Sequence, residues 1–257
     1  MLDSLINGLF QKIYGKKSFQ PLFRKLYSFS LKGLNYGIVG SGETQTMAYV
    51  KSKLQGITNP VLFDVGANIG EYTQNLVNVF GPNCQVFAFE PAKLTFEILV
   101  KNIKNQNVSL ENIGLGSKNE QIKFFSDPNG NTLGSAVNRD IKGIENKVEV
   151  VEIQTLDSFC ENNQISKIDF LKIDVEGFET EVLLGAKEML KNNKMNFIQF
   201  EFGGTQIPVR IFVKDFFELL NQDFIIYRIL ADGLELISEY NERLEIFSYS
   251  NFLAERR

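Results

Sequence analysis

The chain has 257 residues, of which 44% are apolar and 23% are charged, and it carries a net charge of −4. These proportions are typical of a globular protein and exclude collagen, coiled-coil and largely disordered classes. The sequence contains no histidine, which excludes Ser-His-Asp triads, Cys-His pairs and histidine-based zinc sites.

The first forty residues form a basic, amphipathic segment. They carry six Lys and Arg residues and one acid, Asp3, whereas the remainder has a net charge of −9. Apolar residues recur every three or four positions over 2–14 and 22–27, which predicts two short helices. We expect their apolar face to be covered by the rest of the chain, a second protomer (a homodimer) or an anionic membrane surface that the segment contacts peripherally.

From residue 61 onward, short apolar runs alternate with helical patterns. Strands are predicted at 61–65, 85–90, 108–113, 168–173, 197–202, 224–230 and 244–252. Helices are predicted at 72–80, 94–105, 179–191 and 212–221. This alternation is typical of an α/β domain with a parallel sheet covered by helices on both faces. We therefore divide the chain into an N-terminal extension, 1–40, and one α/β domain, 41–257.

Two parts of this domain depart from the alternation. Residues 119–153 hold two strand-like runs and a polar turn at 127–130, which predicts an antiparallel insertion. The last two predicted strands have no helical pattern between them, so we expect the sheet to end in an antiparallel hairpin.

The first strand runs directly into a glycine-rich turn. Gly66 and Gly70 have the spacing G-x-x-x-G, not the G-x-G-x-x-G of nicotinamide-binding proteins. Such a turn lets a ligand approach the backbone at a helix N-terminus. Glu90 follows Gly70 by 20 residues, at the end of the next strand, where an acid can accept both hydroxyls of a ribose. The plainer interpretation is a tight turn and a strand-end carboxylate.

Ionisable residues alternate with apolar ones along the fourth strand. Lys172, Asp174 and Glu176 share one side of this strand and its extension. Buried charges are costly unless they are paired or face a cleft, and ligands bind at the carboxyl ends of such strands. Glu201 would reach the same rim, and Asp174, Glu176 and Glu201 could hold a divalent cation such as Mg²⁺. The alternative is a structural ion-pair network.

Several of these motifs together resemble the FkbM-type S-adenosylmethionine-dependent methyltransferases. They are DVGANIG at 64–70, FEP at 89–91, TLD at 155–157, LKIDVEG at 171–177 and GA at 185–186. The resemblance covers about residues 42–254. It implies a Rossmann-like class I methyltransferase fold with a seven-stranded sheet, S-adenosylmethionine as methyl donor, and a hydroxyl acceptor on a sugar, polysaccharide, glycolipid or natural product.

The resemblance also assigns residues. The turn after the first strand would surround the methionine half of the cofactor, the acid after the second strand would hold the ribose, and the segment after the third strand would flank the adenine. The cofactor-binding residues are then Asp64, Gly66, Ala67, Asn68, Gly70, Glu90, Pro91, Asn112 and Gly114. Glu43 stands where the family often has an acid near the cofactor, although an acid at a helix N-terminus is the plainer interpretation.

The predicted catalytic residues lie on the fourth strand and its extension. Asp174 or Glu176 is expected to act as the base or to orient it, and Lys172 to lower their pKa or to stabilise the alkoxide. We expect Glu201, Ser135 and Arg210 to bind the acceptor, and a turn or solvated loop is the alternative for the last two.

The predicted function is O-methylation of a small molecule or glycan. The alternatives are an N- or peptide methyltransferase, a non-catalytic subunit that binds a cofactor or glycan, and a nucleotide-binding oxidoreductase. The acidity of the main body argues against nucleic acid as a partner. Two distant cysteines, the absence of a signal-like N-terminus and the absence of a long apolar run predict a cytoplasmic protein without transmembrane segments.

Overall fold

The structure is a computed structural model, and it describes residue 8, residues 10–126 and residues 147–257. Most of the first predicted helix, the predicted turn at 127–130 and Ser135 lie outside these residues. Within them, no helix is long and apolar enough to cross a bilayer.

Eight α-helices lie between residues 20 and 220 of the described chain. They are α1 (Gln20–Gly33), α2 (Glu43–Lys53), α3 (Glu71–Phe80), α4 (Lys93–Asn102), α5 (Leu156–Asn162), α6 (Glu179–Leu184), α7 (Lys187–Lys191) and α8 (Val213–Leu220). The predicted helix over 179–191 is thus two helices. The break lies at Gly185, where a Cβ atom would overlap the carbonyl oxygen of Gly116, so close backbone packing ends the first helix.

Eleven strands are described. They are β1 (Val61–Val65), β2 (Gln85–Phe89), β3 (Val108–Glu111), β4 (Gly114–Leu115), β5 (Glu120–Ser126), β6 (Lys147–Gln154), β7 (Ile168–Ile173), β8 (Met195–Phe202), β9 (Phe224–Leu230), β10 (Gly233–Ile237) and β11 (Ser250–Arg256).

The main sheet has the strand order β10-β9-β11-β8-β7-β1-β2-β3. Strands β8, β7, β1, β2 and β3 are parallel to their neighbours in that run, whereas β11 pairs antiparallel with both β8 and β9. The predicted fold class, a mostly parallel sheet with antiparallel C-terminal strands, is confirmed. Strand β10 adds an eighth strand at the edge, in a hairpin with β9.

The last strand begins later than predicted. Residues 242–244 form a 3₁₀ turn, in which the Asn241 side chain accepts a hydrogen bond from the Arg243 backbone N–H. The chain therefore enters the sheet only at Ser250.

The insertion forms a separate small sheet of order β4-β6-β5. Strands β5 and β6 pair antiparallel, as predicted. Phe124, Val151 and Ile153 form a small buried cluster with Ala92, which holds this sheet beside the main domain.

The core lies on both faces of the central strands. Every residue of β7 is buried, as expected for a strand with helices on either side. Phenylalanine rings fill much of this space: Phe200 stacks on Phe216 with ring centroids 4.4 Å apart, and Phe89 meets Phe159 edge-on. Because this packing is apolar, the ionisable side chains at the carboxyl ends of β1, β2 and β7 stand apart as a candidate site.

Candidate active site

A cavity of about 390 Å³ opens at the carboxyl ends of β1, β2 and β7. This volume is typical of small-molecule sites, and the position is that of the ligand crevice in open α/β sheets. The structure brings seven of the predicted site residues to its wall: Gly66, Ala67, Asn68, Glu90, Lys172, Asp174 and Glu176.

The glycine-rich turn forms one side of the cavity. The backbone N–H groups of Gly66 and Ala67 donate to the Phe89 carbonyl at the end of β2. Gly66 has φ +84°, and a Cβ atom there would overlap the Asp174 carbonyl oxygen. Only glycine fits where the turn passes so close to the segment after β7.

Glu90 closes one end of the cavity. Its carboxylate accepts hydrogen bonds from the backbone N–H groups of Asn68, at 3.1 Å, and Ala92, at 2.9 Å. Burial raises the pKa of Glu90 to about 7, against the effect of these two hydrogen bonds. The carboxylate is therefore fixed in place and poised to titrate near neutral pH.

Some predicted cofactor residues lie behind the wall instead of on it. Asn112 donates through Nδ2 to the carbonyls of Glu90 and Pro91, so it supports the motif from outside. Gly114 lies in β4, close to Ile153. None of Pro91, Asn112 and Gly114 lines the cavity, and their contact with a cofactor stays a prediction.

Asp64 and Gly70 also do not line the cavity. Asp64 is fully buried within β1, and its Oδ2 accepts a hydrogen bond of 2.6 Å from the Thr73 hydroxyl. Gly70 precedes α3, and its backbone N–H donates to the Ala67 carbonyl. These two residues shape the turn that the ligand meets.

Lys172 is a buried cation between two carboxylates. Its Nζ lies 3.2 Å from Asp174 Oδ2 and 3.7 Å from Asp64 Oδ1. The sheet register makes Asp64 and Lys172 partners across β1 and β7, which explains the contact. The Tyr72 ring covers the ammonium group with its centroid 4.5 Å from Nζ.

This arrangement fixes the charge of Lys172. Burial disfavours the ammonium form, but Asp174, Asp64 and Glu43 outweigh it and raise the pKa of Lys172 above its usual value. Burial raises the pKa of Asp64, and Lys172 opposes that rise. The neighbouring carboxylates therefore favour the ammonium form of Lys172.

The turn after β7 places Asp174 and Glu176 on the cavity wall. Glu176 has φ +58°, a left-handed conformation that costs free energy and persists only where neighbouring contacts enforce it. Glu179 supplies such contacts. Its carboxylate accepts hydrogen bonds from the backbone N–H groups of Val175 and Gly177, and from Gln206 Nε2 at 2.7 Å.

Glu179 is a positioning residue that the sequence analysis missed. It is buried, and burial raises its pKa to about 7. The only signal in the sequence is an acid at the start of the helix that follows the fourth strand, where a solvent-exposed carboxylate is the usual interpretation.

The cavity has further lining residues outside the predicted motifs. They are Val39, Gly40, Glu43, Tyr72, Thr95, Phe124 and Tyr249, among others. Glu43 both begins α2 and faces the cavity. It accepts a hydrogen bond from Asn251 Nδ2, which lies 2.9 Å from the Tyr249 hydroxyl. Burial raises the pKa of Glu43, and Lys172 opposes this effect.

The predicted acceptor residues are not gathered on the wall. Glu201 is buried at the end of β8, opposite Asn251 in register. Burial raises its pKa, and the charges of Asp174, Glu176 and Glu179 raise it further. Glu201 does not line the cavity. Arg210 is exposed in a turn and does not line the cavity, and Ser135 lies outside the described residues.

The metal hypothesis has no geometric support within the described ranges. No group of three or more His, Cys, Asp or Glu side chains there could hold a metal ion. Instead, the carboxylates of Glu43, Glu71, Glu90, Asp174 and Glu176 face the cavity together with one described cation, Lys172. This balance favours a ligand with positive charge.

Comparison with known proteins gives a family and several relatives. The family described as methyltransferase FkbM domain matches residues 64–224. Hexuronic acid methyltransferase AglP of Haloferax volcanii is 32% identical over 171 residues, which are 63% of this chain and 62% of AglP. The 2-O-methyltransferase NoeI of Sinorhizobium fredii is 25% identical over 168 residues, 59% of this chain and 69% of NoeI.

The match therefore spans about three fifths of the length of AglP. Among solved structures, an S-adenosylmethionine-dependent O-methyltransferase of Thermotoga maritima shares 13% identity and a TM-score of 0.41, over 83% of this chain and 65% of that one.

Proposed function

Because the chain belongs to the FkbM methyltransferase family, we propose that it transfers a methyl group from S-adenosylmethionine to a hydroxyl group of a sugar or glycan. The observation that carries this proposal is the cavity that Glu90 and the Asp174–Glu176 turn both line. One relative is named for hexuronic acid and another for 2-O-methyl transfer, which supports oxygen on a sugar as the acceptor.

The residues present fit this cofactor. When bound, S-adenosylmethionine supplies an electrophilic methyl group on a positively charged sulfonium. Gly66, Ala67 and Asn68 line the cavity, where Gly66 lets a ligand approach the backbone closely, and Glu90 retains acceptor capacity for ribose hydroxyls. Phe124 supplies an apolar ring to the same cavity. The excess of carboxylates on the wall complements the positive charge.

Residues of this chain then accept the proton of the acceptor hydroxyl group. As the acceptor oxygen takes the methyl group, the hydroxyl proton passes to the carboxylate of Asp174 or Glu176. Lys172 holds Asp174 in place through their 3.2 Å contact. Glu179 holds the turn that carries Glu176. Most of the acceleration comes from holding the two reactants close and aligned.

The remaining predictions concern the alternative functions, the cellular location, the domain boundary and the partners of the N-terminal segment. An N- or peptide methyltransferase and a non-catalytic subunit are less favoured, because the relatives named above support methyl transfer to oxygen. A cytoplasmic location fits Cys84 and Cys160, which are both buried and free. The boundary at residue 40, a homodimer and a membrane contact of the N-terminal segment remain predictions.

The function is tested by methyl transfer from labelled S-adenosylmethionine to a panel of acceptors. The panel contains hexuronic acid glycosides, neutral hexosides, a peptide and a primary amine. We expect label in a sugar, in a form that survives mild base, because a methyl ether does and a methyl ester does not. Label only in the peptide or amine, or label released by mild base, would contradict transfer to a hydroxyl.

Loss of the Glu90 carboxylate should weaken cofactor binding. Charge-assisted hydrogen bonds contribute roughly 1.5 to 3 kcal/mol each, so Glu90→Gln should bind S-adenosylmethionine at least tenfold more weakly in calorimetry. Glu97→Gln, on the exposed face of α4, serves as the control and should bind normally. Equal affinity in both variants removes the ribose role, and tighter binding of a nicotinamide dinucleotide overturns the cofactor class.

Cofactor binding should also depend on pH. The pKa of Glu90 lies near 7 in the free protein, and both the ribose hydroxyls and the sulfonium favour its ionised form. Binding should therefore release protons, and affinity should rise up to tenfold from pH 6 to pH 8, about one pKa unit of coupling. Calorimetry in buffers of different ionisation enthalpy measures this release. If Glu90→Gln shows the same pH dependence, another group is responsible.

A further inference from the structure

Helix α1 presents an apolar stripe to solvent. None of its 14 residues is buried. Leu22, Leu26 and Phe29 are 42%, 41% and 76% exposed, and their spacing of four and three residues places them on one face. We call these three residues the α1 stripe. Single exposed apolar residues are ordinary, but a row along one helix face indicates a surface that something covers.

The same segment is uniformly basic. Residues 10–40 contain six Lys and Arg residues and no acid. Lys25 and Lys32 lie on the helix that carries the stripe, and both are exposed. The rest of the chain is strongly acidic. Charge complementarity therefore favours an anionic partner for this segment alone.

The segment after α1 is fixed at the mouth of the cavity. Asn35 donates through Nδ2 to the Ile229 carbonyl at 3.1 Å, and the Gly37 backbone N–H donates to the Tyr249 carbonyl at 2.7 Å. The Tyr36 ring is buried against the Arg228 guanidinium. Val39 then lines the cavity while 81% exposed. The C-terminal end of α1 thus lies near the cavity entrance.

We propose that α1 lies on an anionic lipid bilayer, with the α1 stripe in the headgroup boundary and its lysines at the lipid phosphates. Helices that bind in this way combine Phe and Leu on one face with Lys and Arg beside them. The acceptor is then a glycan carried on a lipid, presented at the cavity mouth. This last step rests on the proposed function, whereas the docking of α1 does not.

The composition favours a bilayer over a second copy of the chain. Lysine is depleted in protein interfaces, where arginine and aromatic residues are enriched. Five of the six basic residues in 10–40 are lysines. Long lysine side chains can reach lipid phosphates while their methylene stems lie along the apolar boundary.

Vesicle sedimentation tests the docking. The full chain should bind vesicles of phosphatidylcholine and phosphatidylglycerol at 3:1, and bind pure phosphatidylcholine at least tenfold more weakly. Leu26→Glu/Phe29→Glu should lose at least tenfold in affinity for the anionic vesicles. Lys25→Glu/Lys32→Glu should do the same and should lessen the dependence on salt. Leu236→Glu, at an exposed apolar residue of β10, is the control and should bind normally.

Three results would overturn the docking. They are equal binding to neutral and anionic vesicles, undiminished binding of the α1 variants, and a dimer that the stripe variants convert to a monomer without any vesicle binding by the original chain. S-adenosylmethionine affinity should be unchanged in all α1 variants, which shows that they fold. Vesicle binding that responds as expected, with no methyl transfer to any glycan, would support the docking and contradict the proposed function.

Discussion

Replacing Asp174 with Asn should lower the rate of methyl transfer by ~10²- to 10⁴-fold, the range for loss of a general base. The amide keeps the shape of the side chain on the cavity wall but accepts a proton poorly. Cofactor affinity should change little, because the residues proposed to bind the cofactor are Glu90 and the glycine-rich turn. Single-turnover transfer and calorimetry on the same sample separate the two quantities.

Two further variants identify the base. Glu176→Gln reports on the second carboxylate of the turn. Asp232→Asn is the matched control, because Asp232 is exposed and does not line the cavity. If only Glu176→Gln is inactive, Glu176 is the base and Asp174 orients Lys172. If both turn variants transfer methyl groups at the normal rate at a temperature where they are folded, neither carboxylate is the base.

The central strands could be predicted because their signals are local. An apolar run followed by a glycine-rich turn at 61–70 permits few structures, and β1, β2 and β7 occur close to the predicted bounds. The alternation of Lys172, Asp174 and Glu176 with apolar residues also predicted a shared edge. Parallel strands bring such edges together, and the cavity lies there.

The rest of the wall depends on distant parts of the chain. Glu43 and Tyr249 are about 200 positions apart in sequence, and Asn251 links them by hydrogen bonds. Phe124, which also lines the cavity, belongs to strand β5 of the insertion. No local pattern marks the contacts of Asn251 with Glu43 and Tyr249, because they arise only when β11 enters the sheet between β8 and β9. By contrast, β10 had a local signal, the Asp232–Gly233 pair typical of hairpins, that the sequence analysis did not use.

Replacing Lys172 with Met should have the largest effect on stability. Removing one partner from a buried ion cluster typically costs about 3 to 5 kcal/mol, because Asp64 remains buried without its cation. Urea unfolding at pH 8 measures this loss. Lys167→Met is the matched control: its ammonium lies 3.2 Å from Asp169 but is 42% exposed, so the change should cost at most about 1 kcal/mol.

The pH dependence of this loss tests its cause. Burial already raises the pKa of Asp64 above its unfolded value, and removal of Lys172 should raise it further. A raised carboxyl pKa favours the folded state most at low pH, where the group is protonated, and that contribution is lost as pH rises above about 4. The deficit of Lys172→Met should therefore be smaller at pH 4.5 than at pH 8. A deficit that is constant, or larger at pH 4.5, would mean that lost packing against Tyr72, and not an unpaired buried carboxylate, causes the instability.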